Sequence, residues 1–415
     1  MYLKFIIIST LFIGIIDLYF YRSFKFLVKK LNRQIRIPLK ISYWLYTIGT
    51  VVFMFFVASY FSEKTPAPKF MRVYVMGFIL IALLSKLIGC VFILLHDIKS
   101  LIVWIKGKLF PVIETKNGNQ ITRRNFLKKT SVIAAAIPFG TLMFGMLKSA
   151  FDYTVRKEKL LIPDLPNSFK GLKIVQISDL HVGSFISDEP LKKAIDIIKK
   201  QNADIIFFTG DLVNDITEEA LPFIDVLKEI KAPMGVFSIL GNHDYGDYFY
   251  QKEDIKGKQH NYKLMQEVHA KLGWKLLLNQ NHIITKDNER LAILGVENWG
   301  GAHRFPKYGD IEKAKQGCLN EDVKLLLSHD PSHWDAIILS EHKDIAATFS
   351  GHTHGMQFGV EIPGFKWSPS EYLYKQWAGL YQSNDQLLYV NRGLGFIGYP
   401  GRVGILPEIS VFELA

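Results

Sequence analysis

Cysteine is scarce in this sequence. Its 415 residues include only Cys90 and Cys318, which excludes a disulfide framework and makes a cysteine-based metal site a poor expectation. There is no internal repeat and no low-complexity linker. Hydrophobic residues make up 49% of the chain and aromatic residues 13%, which excludes a disordered protein. A chain of this length holds two or three domains by the usual size of about 100–200 residues per domain.

Acidic residues are scarce in the first 154 residues, which carry 21 Lys and Arg against 5 Asp and Glu. Residues 155–415 carry 29 against 34, so the formal charge of +11 combines a basic half of +16 with an acidic half of −5. The basic half also contains the long apolar runs. This pairing indicates membrane spans flanked by cationic loops, and it argues against a nucleic-acid-binding protein.

Four apolar segments lie within the first 150 residues, at 5–20, 41–61, 73–95 and 130–147. The first contains Asp17 and is short for a membrane span, which needs about 20 residues. The third contains Lys86. One such segment alone could be a buried core helix, but four of them make that interpretation poor. We therefore predict a membrane region at residues 1–150 with about four transmembrane helices.

Two cationic loops indicate the orientation of these helices. Seven Lys and Arg lie from Arg22 to Lys40, and eight lie from Lys99 to Lys129. The positive-inside rule places both loops in the cytoplasm, so the fourth segment runs outward and the chain after it is extracytoplasmic. Residues 122–128, Thr-Arg-Arg-Asn-Phe-Leu-Lys, resemble a twin-arginine export signal, although they follow three other apolar segments. We predict a multi-pass protein of the cell membrane with an extracytoplasmic C-terminal domain.

From about Arg156 the pattern changes to short, β-rich apolar runs, each of which ends in a polar cluster. The runs lie at 173–177, 204–208, 235–240, 324–327 and 345–349. Their continuous apolar character predicts strands that are buried on both faces. Helical patterns lie between some of them, at 189–200 and 218–228. The alternation of strands and helices predicts an α/β layered fold.

The polar clusters contain Asp, Asn and His. Since open α/β sheets place their sites at the carboxyl ends of strands, we expect these side chains to converge. Oxygen and imidazole ligands together suit Mn, Fe or Zn in a two-metal centre. Such a centre needs one carboxylate that bridges two cations roughly 3.5–4 Å apart, and Asp211, after a glycine at a strand end, is the natural candidate.

The clusters follow one another in a specific order. They are Asp179-x-His181, Gly210-Asp211, Gly241-Asn242-His243-Asp244, His329 and Gly351-His352-x-His354. This order resembles the signature of the calcineurin-like metallophosphoesterases, over roughly residues 170–415. The tail, at 391–395 and 407–409, is similar to that of small bacterial phosphodiesterases with an N-terminal membrane or export segment. The resemblance implies a domain at 155–415 built as a layered sandwich of two mixed β-sheets flanked by helices, preceded by the transmembrane helical region.

The resemblance also implies roles for individual residues. The first metal ion would be held by Asp179, His181, Asp211 and His354. The second would be held by Asp211, Asn242, His329 and His352. His243 resembles the catalytic histidine, which protonates the leaving group or stabilises the phosphoryl oxygens.

One position departs from the family pattern. Many members have an Asp three residues after the bridging Asp, where it orients the catalytic histidine. Here that position is Asn214, followed by Asp215. Either Asp215 substitutes through a local shift, or His243 lacks a carboxylate partner.

Four further residues are candidates for contact with substrate phosphate. His303 and Arg304 lie in a glycine-rich loop, although a solvated loop is the more common role of such residues. Arg392 and Arg402 in the tail could contact phosphate or could form structural ion pairs.

Three functions follow as hypotheses. The first is a membrane-anchored phosphoesterase with two divalent metal ions, which hydrolyses phosphodiester or pyrophosphate bonds through a metal-bridging hydroxide. The second is the same chemistry on a lipid-linked nucleotide or pyrophosphate. The third is a non-catalytic binding protein of the cell envelope on a phosphoesterase scaffold, against which the complete ligand set argues. The charge of −5 on residues 155–415 disfavours nucleic acid as the main partner.

Overall fold

Long apolar runs form helices in the first part of the chain. The computed structural model describes residues 2–62, 68–109, 123–301, 305–320 and 322–415, and the chain divides into two units, Met1–Phe144 and Gly145–Ala415. The first unit contains α1 (Tyr2–Val28), α2 (Arg33–Ser62) and α3 (Met76–Leu109). A fourth helix, α4 (Arg123–Leu147), begins in the first unit and ends just past the boundary. A π-helical turn, Met71–Val75, precedes α3. Each of the four includes a stretch long and apolar enough to cross a membrane, which confirms the predicted transmembrane region.

The first helix is longer than its apolar run. The candidate span in α1 covers Ile7–Val28, which is 22 residues, so the expectation of a short first segment is wrong. The apolar character continues beyond Phe20, because residues 21–28 include Tyr21, Phe24, Phe26, Leu27 and Val28.

Ion pairs join α1 to α3. The Lys86 Nζ lies 2.5 Å from Asp17 Oδ1, and the Thr47 hydroxyl donates to Asp17 Oδ2 at 2.5 Å. Further along both helices, Arg22 lies 2.7 Å from Asp97. The second pair lies closer than the first to the C-terminal end of both helices, so α1 and α3 are parallel. Their C-terminal ends, and the cationic stretches next to them, therefore lie on the same side of the unit.

Removal of one partner from the buried pair should destabilise the helical unit. Lys86→Met leaves the Asp17 carboxylate buried without its cation, which should lower the free energy of unfolding by about 3–5 kcal/mol. The double variant Asp17→Asn/Lys86→Met should recover much of this loss. The measurement is loss of helicity by circular dichroism as SDS is titrated against the purified full chain. Lys30→Met, at an exposed position between α1 and α2, is the control and should change stability by less than about 0.5 kcal/mol. Equal stability of Lys86→Met and the control would contradict the role of the pair.

Two six-stranded mixed sheets form the core of the second unit. The strands, in chain order, are β1 (Thr154–Leu160), β2 (Lys173–Ile177), β3 (Ile205–Phe208), β4 (Val236–Ser238), β5 (Lys275–Leu276), β6 (Gln280–Lys286), β7 (Glu289–Gly295), β8 (Val323–Leu327), β9 (Ile345–Ser350), β10 (Val360–Ile362), β11 (Phe365–Trp367), β12 (Gly379–Ser383), β13 (Gln386–Val390) and β14 (Glu408–Leu414). The first sheet has the order β1-β14-β2-β3-β4-β5, and the second has the order β12-β13-β9-β8-β7-β6. β10 and β11 form a separate hairpin.

Parallel pairing predominates in the middle of both sheets. In the first sheet β2, β3, β4 and β5 are mutually parallel, and β14 runs antiparallel to β2. In the second sheet β7, β8, β9 and β13 are parallel, with β6 and β12 antiparallel at the two edges. The carboxyl ends of β2–β4 therefore lie at one edge of their sheet, and those of β8 and β9 do so in theirs.

Helices cover the outer faces of the sheets. They are α5 (Glu189–Lys199), α6 (Ile224–Leu227), α7 (Ile255–Leu272), α8 (Ile311–Ala314) and α9 (Leu339–Glu341). The predicted helix at 189–200 is confirmed as α5. The predicted helix at 218–228 is only partly correct, because its first part is a 3₁₀ segment, Thr217–Phe223, that contains Pro222. Proline lacks the N–H that an α-helix needs at that position.

Alternate side chains of the central strands face two different cores. Ile205 and Phe207 of β3 pack between the two sheets, where the Phe207 ring centroid lies 5.0 Å from that of Phe349. Ile206 and Phe208 of the same strand pack into the core beneath the helices of the first sheet. Both faces of the strand are therefore buried, as its continuous apolar run predicts. The layered fold of two mixed sheets flanked by helices is confirmed.

Candidate metal centre

The predicted metal ligands follow the ends of parallel strands. Asp179 and His181 come after β2, Asp211 after β3, Asn242 after β4, His329 after β8, and His352 and His354 after β9. Three of these strands belong to the first sheet and two to the second. The site thus forms where the strand ends of the two sheets meet.

Six of the seven predicted ligands form two groups. Asp179, His181 and His354 are the first group, and Asp211, His329 and His352 are the second. Within each group the candidate ligand atoms lie within 4.8 Å of one another. The division matches the two ligand sets that the family resemblance implies.

Asp211 lies between the two groups. Its Oδ2 is 3.6 Å from His181 Nε2 of the first group and 3.2 Å from His329 Nε2 of the second. Its Oδ1 accepts a hydrogen bond from the backbone N–H of His243 at 2.9 Å. One carboxylate oxygen therefore faces both groups, which is the position that a bridging ligand requires.

Asn242 has a buried amide oxygen, Oδ1, with no hydrogen-bond partner among the described residues. The amide nitrogen of the same side chain donates to the Tyr248 hydroxyl at 2.8 Å, so the orientation of the amide is set. An unsatisfied buried acceptor costs roughly 1–3 kcal/mol. Asn242 lines the cleft beside Asp211, and a cation there would supply the missing partner. The ligand set therefore fits a divalent metal ion.

Backbone carbonyls orient two of the histidine rings. His181 Nδ1 lies 3.0 Å from the Val213 carbonyl, and His329 Nδ1 lies 2.7 Å from the Thr209 carbonyl. Because a carbonyl only accepts, each Nδ1 carries the hydrogen of its contact, and Nε2 of each ring is the atom directed into the site. His181 Nε2 lies 3.1 Å from His354 Nε2. A cation between these two nitrogens would satisfy both.

His181 and His329 differ in protonation. Burial lowers the pKa of His181 to about 3, so this ring is neutral at physiological pH and able to bind a metal ion. Burial also acts on His329, but the carboxylates of Asp211 and Asp179 outweigh it and raise the pKa of His329 to about 10. Metal binding at the second group must therefore displace a proton from His329.

Five predicted ligands have a left-handed backbone. The φ angles are 51° at Asp179, 46° at His181, 58° at Asp211, 71° at His352 and 50° at His354. For a residue with a side chain this conformation costs roughly 1–2 kcal/mol. Sharp turns of this kind direct side chains back over the strand ends, and such strain is concentrated at functional sites.

Two glycines of the motifs allow a close approach to these ligands. A Cβ at Gly241 would lie 2.6 Å from the backbone nitrogen of Asp211, and one at Gly351 would lie 2.9 Å from Ser178 Cβ, beside the Asp179 carboxylate. Any side chain at either position would displace a predicted ligand. This explains why glycine precedes Asn242 and His352 in the two motifs.

Asp244 holds two of the turns in place. Its buried carboxylate accepts hydrogen bonds from the backbone N–H groups of Asp211, Leu212, Val213 and Gly241, at 2.8–3.2 Å. Burial and the neighbouring charge of Asp211 raise the pKa of Asp244 to about 7, while the amide donors favour the charged form. The sequence motif includes Asp244, but this role became visible only from the fold.

His243 is supported by a backbone carbonyl. Its Nδ1 lies 2.5 Å from the carbonyl oxygen of Asn214, and its ring stacks on Tyr248 with centroids 4.4 Å apart. The Asn214 side chain turns away and donates to the Ser184 hydroxyl at 2.9 Å. Of the two alternatives left by the sequence, the second therefore holds: no carboxylate among the described residues hydrogen-bonds to the imidazole of His243.

The structure describes only some of the candidate phosphate-binding residues. Arg392 is buried, and its guanidinium lies 2.5 Å from Glu408 and 2.8 Å from Glu361. It does not line the cleft, so its predicted contact with substrate is corrected to a structural ion pair. His303 and Arg304 lie outside the described residues.

Sequence reasoning missed how two side chains contact the predicted ligands. The Tyr374 hydroxyl lies 2.7 Å from His352 Nε2, and the Arg402 Nη2 lies 3.2 Å from His354 Nδ1. Both come from distant parts of the chain and belong to no motif. The sequence offers Arg402 as a candidate phosphate contact, but its side chain is buried and donates mainly to backbone carbonyls such as that of Gly395.

Five of the seven predicted ligands line a cleft of about 310 Å³: His181, Asp211, Asn242, His352 and His354. His243, Tyr248, Phe305, Met356 and Leu373 also line this cleft. A lining that combines polar and apolar side chains suits a ligand that has a phosphoryl group and a less polar remainder.

Comparison with known proteins identifies both parts of the chain. Residues 172–356 match the calcineurin-like phosphoesterase family. Residues 3–150 match a family described as "probable calcineurin-like phosphoesterase, transmembrane domain". These matches confirm the resemblance that the motifs indicate. Metallophosphoesterases of this kind are phosphoester hydrolases that use divalent metal ions.

Three curated relatives are similar over much of the chain. A transmembrane protein with metallophosphoesterase domain from Danio rerio is 27% identical over 289 residues, which cover 68% of this chain and 62% of the fish protein's length. The uncharacterized metallophosphoesterase YkuE from Bacillus subtilis (strain 168) is 28% identical, with 71% and 98% covered. The UDP-2,3-diacylglucosamine pyrophosphatase LpxG from Chlamydia trachomatis serovar D is 29% identical, with 56% and 81% covered.

Loss of the shared carboxylate should abolish metal binding. The full chain, purified without chelator, should contain about two divalent metal ions, and Asp211→Asn should lose both metal and activity because an amide cannot bridge two cations. Elemental analysis measures the metal content. Asp215→Asn, a nearby acid outside both groups, is the matched control and should keep its metal. Full metal content in Asp211→Asn would contradict the bridging position.

Proposed function

The chain belongs to the calcineurin-like phosphoesterases, and from this premise we propose that it is a membrane-anchored hydrolase of phosphodiester or pyrophosphate bonds with a two-metal centre. The observation that carries the proposal is the position of Asp211, with one carboxylate oxygen 3.6 Å from His181 and 3.2 Å from His329. A single-metal site would not need a carboxylate directed at two separate groups of ligands.

Each group of ligands would hold one cation. Asp179, His181 and His354 would bind the first, and Asn242, His329 and His352 the second, with Asp211 shared between them. The mixture of oxygen and imidazole donors suits Mn, Fe or Zn. Such a metal pair, when bound, polarises phosphoryl oxygens and lowers the pKa of a water molecule.

His243 would handle the proton of the leaving group. Its Nδ1 is held by the Asn214 carbonyl, so Nε2 is the atom that can hold or give a proton in the cleft. The Tyr248 ring stacks on the imidazole and restricts its rotation. The imidazole of His243 is therefore held by the Asn214 carbonyl and the Tyr248 ring, while its backbone N–H donates to Asp211.

Replacing His243 should impair turnover and leave metal binding intact. His243→Ala should lower turnover by roughly 10²–10⁴-fold on a phosphodiester with a poor leaving group, because general acid catalysis is lost. On a diester with a good leaving group the loss should be smaller, since that group departs without protonation. His260→Ala, at an exposed position of α7, is the control. Full activity of His243→Ala on the poor leaving group would refute the catalytic role.

Two substrate classes fit the proposal. Water-soluble phosphodiesters or pyrophosphates are the first, since a domain outside the cytoplasm meets little phosphoprotein. A lipid-linked pyrophosphate is the second. It is supported by the transmembrane helices of this chain and by the relative LpxG, whose name gives it a pyrophosphatase activity on UDP-2,3-diacylglucosamine.

A substrate panel tests the choice. The full chain in detergent should be assayed with a phosphomonoester, a phosphodiester, a lipid pyrophosphate and a phosphopeptide at equal concentration. We expect turnover of the diester or of the lipid pyrophosphate to exceed that of the phosphopeptide by at least tenfold. Asp211→Asn serves as the inactive control. Efficient phosphopeptide turnover without diester or pyrophosphate hydrolysis would overturn the proposed specificity.

We also propose that the catalytic domain is extracytoplasmic. The supporting observation is that α1 and α3 are parallel, which brings the two cationic stretches to one side of the helical unit. The positive-inside rule then assigns that side to the cytoplasm, and α4 leads out of it.

Protease digestion of spheroplasts should reveal the orientation. We expect external protease to degrade the domain after residue 154 in intact spheroplasts. A protease-sensitive tag inserted between α1 and α2 should be cut only after lysis, which makes it the internal control. Protection of the domain until lysis would show that the orientation is the opposite one.

A further inference from the structure

The hairpin of β10 and β11 places its charged side chains toward the protein. Glu361 and Lys366 are directly opposite each other in the antiparallel register, so they share one face. Glu361 forms ion pairs with Arg156 at 2.7 Å and Arg392 at 2.8 Å. The Lys366 Nζ donates to the backbone carbonyl of Ala378 at 2.5 Å. This face is therefore bound to the body of the domain.

The apolar side chains of the hairpin lie on the opposite face. Val360 pairs with Trp367 and Ile362 pairs with Phe365, and successive residues of a strand alternate between faces. Val360 is 44% exposed, Ile362 58% and Phe365 55%. A solvated hairpin normally directs its apolar face inward. The reversed pattern indicates that something apolar covers this face.

The apolar surface continues to the edge of the metal cleft. The Trp367 indole N–H donates to the Tyr372 hydroxyl at 3.4 Å, and Tyr372 is 73% exposed. Leu373, the next residue, is 64% exposed and also lines the cleft, as does Met356. We call the surface made by Val360, Ile362, Phe365, Trp367, Tyr372 and Leu373 the hairpin surface. Trp367 is half-buried, and the other five side chains are exposed. Exposed apolar side chains grouped in this way indicate an interaction site, unlike single apolar residues at a surface.

The connection between the last membrane-spanning helix and the second unit is short. The span in α4 is followed by β1, which begins at Thr154, only seven residues after Leu147. At about 3.3–3.6 Å per residue, this connection reaches at most about 25 Å. Arg156, the third residue of β1, forms the ion pair with Glu361 of the hairpin. The hairpin is thus attached to the first strand that follows the membrane span.

We propose that the hairpin surface docks on the bilayer in which the transmembrane helices lie, with Ile362 and Phe365 inserted at the membrane interface. The cleft then opens at the membrane surface through Leu373 and Met356. Membrane-interface segments combine an aromatic side chain with a polar tip, such as Trp367 and Tyr372, with aliphatic residues that enter the acyl region. The docking depends on membrane attachment and is independent of the proposed hydrolysis.

Fluorescence quenching by lipids tests the docking without any enzyme assay. The full chain, with both native cysteines replaced by serine, receives Phe365→Cys and an environment-sensitive fluorophore. It is reconstituted in vesicles of phosphatidylcholine and phosphatidylglycerol (3:1) that contain lipids with a nitroxide near the headgroup. We expect at least threefold stronger quenching than for a label at Asn288→Cys. That control position is exposed in the turn between β6 and β7, at the opposite edge of the second sheet from β12.

A second variant tests the docking by placing a charge on the hairpin surface. Ile362→Asp in the labelled chain should reduce the quenching to the level of the Asn288 control, whereas Ile362→Leu should retain it. Because Ile362 is exposed, neither substitution disturbs the core. Quenching equal to the control in the parent chain, or unchanged by Ile362→Asp, would overturn the proposal.

A dilution experiment distinguishes the bilayer from a second copy of the chain. The vesicles are also prepared with about one chain each, and quenching that persists there supports docking on the bilayer. Loss of the effect on dilution would show that a second copy of the chain covers the surface, and would overturn it.

Discussion

The carboxylate of Asp211 occupies the point where the strand ends of the two sheets meet. One oxygen faces histidines from both sheets, and the other accepts the backbone N–H of His243. This one side chain therefore contacts histidines of both groups of predicted ligands and the backbone of the proposed catalytic histidine. The carboxylate is fully buried, which is costly for a charge unless cations or donors surround it. Nearby histidines lower the pKa of Asp211 despite its burial, and a metal pair would neutralise it further.

The backbone around this point is strained and is restrained by hydrogen bonds. Asp211 itself has a φ of 58°, and four other ligands are also left-handed. At roughly 1–2 kcal/mol each, this strain needs compensation from elsewhere. Asp244 supplies part of it, because four amide groups of the two turns converge on its carboxylate. The geometry of the candidate metal centre is therefore prepared by the fold, and the proposed cations would bind to side chains that are already in place.

Two parts of the chain have charged side chains on the inside and apolar side chains on the outside. In the helical unit, the Asp17–Lys86 pair is inside and apolar side chains face outward. The hairpin of β10 and β11 repeats this inverted arrangement on the second unit, with Glu361 toward the protein and Phe365 outward. Water alone would not favour either arrangement. Both arrangements are expected where a surface contacts lipid, as in the transmembrane helices and in the proposed docking of the hairpin surface.

Much of this protein was determined by the sequence itself. Apolar runs and cationic loops specify the membrane region, because twenty apolar residues have few alternatives to a span. Continuous β-rich runs that each end in Asp, Asn or His specify the strands, since β2, β3, β8 and β9 all lie where their runs predict, and they supply the predicted ligands. Tertiary structure alone decided the support of those ligands. Asn214 holds His243 through its backbone carbonyl, which every residue possesses, so no side-chain pattern could reveal it. Tyr374 and Arg402 reach the ligand histidines from 22 and 48 residues away, and Arg392 pairs with Glu408 in the interior. Such contacts depend on how distant segments pack together, and local sequence carries no record of that packing.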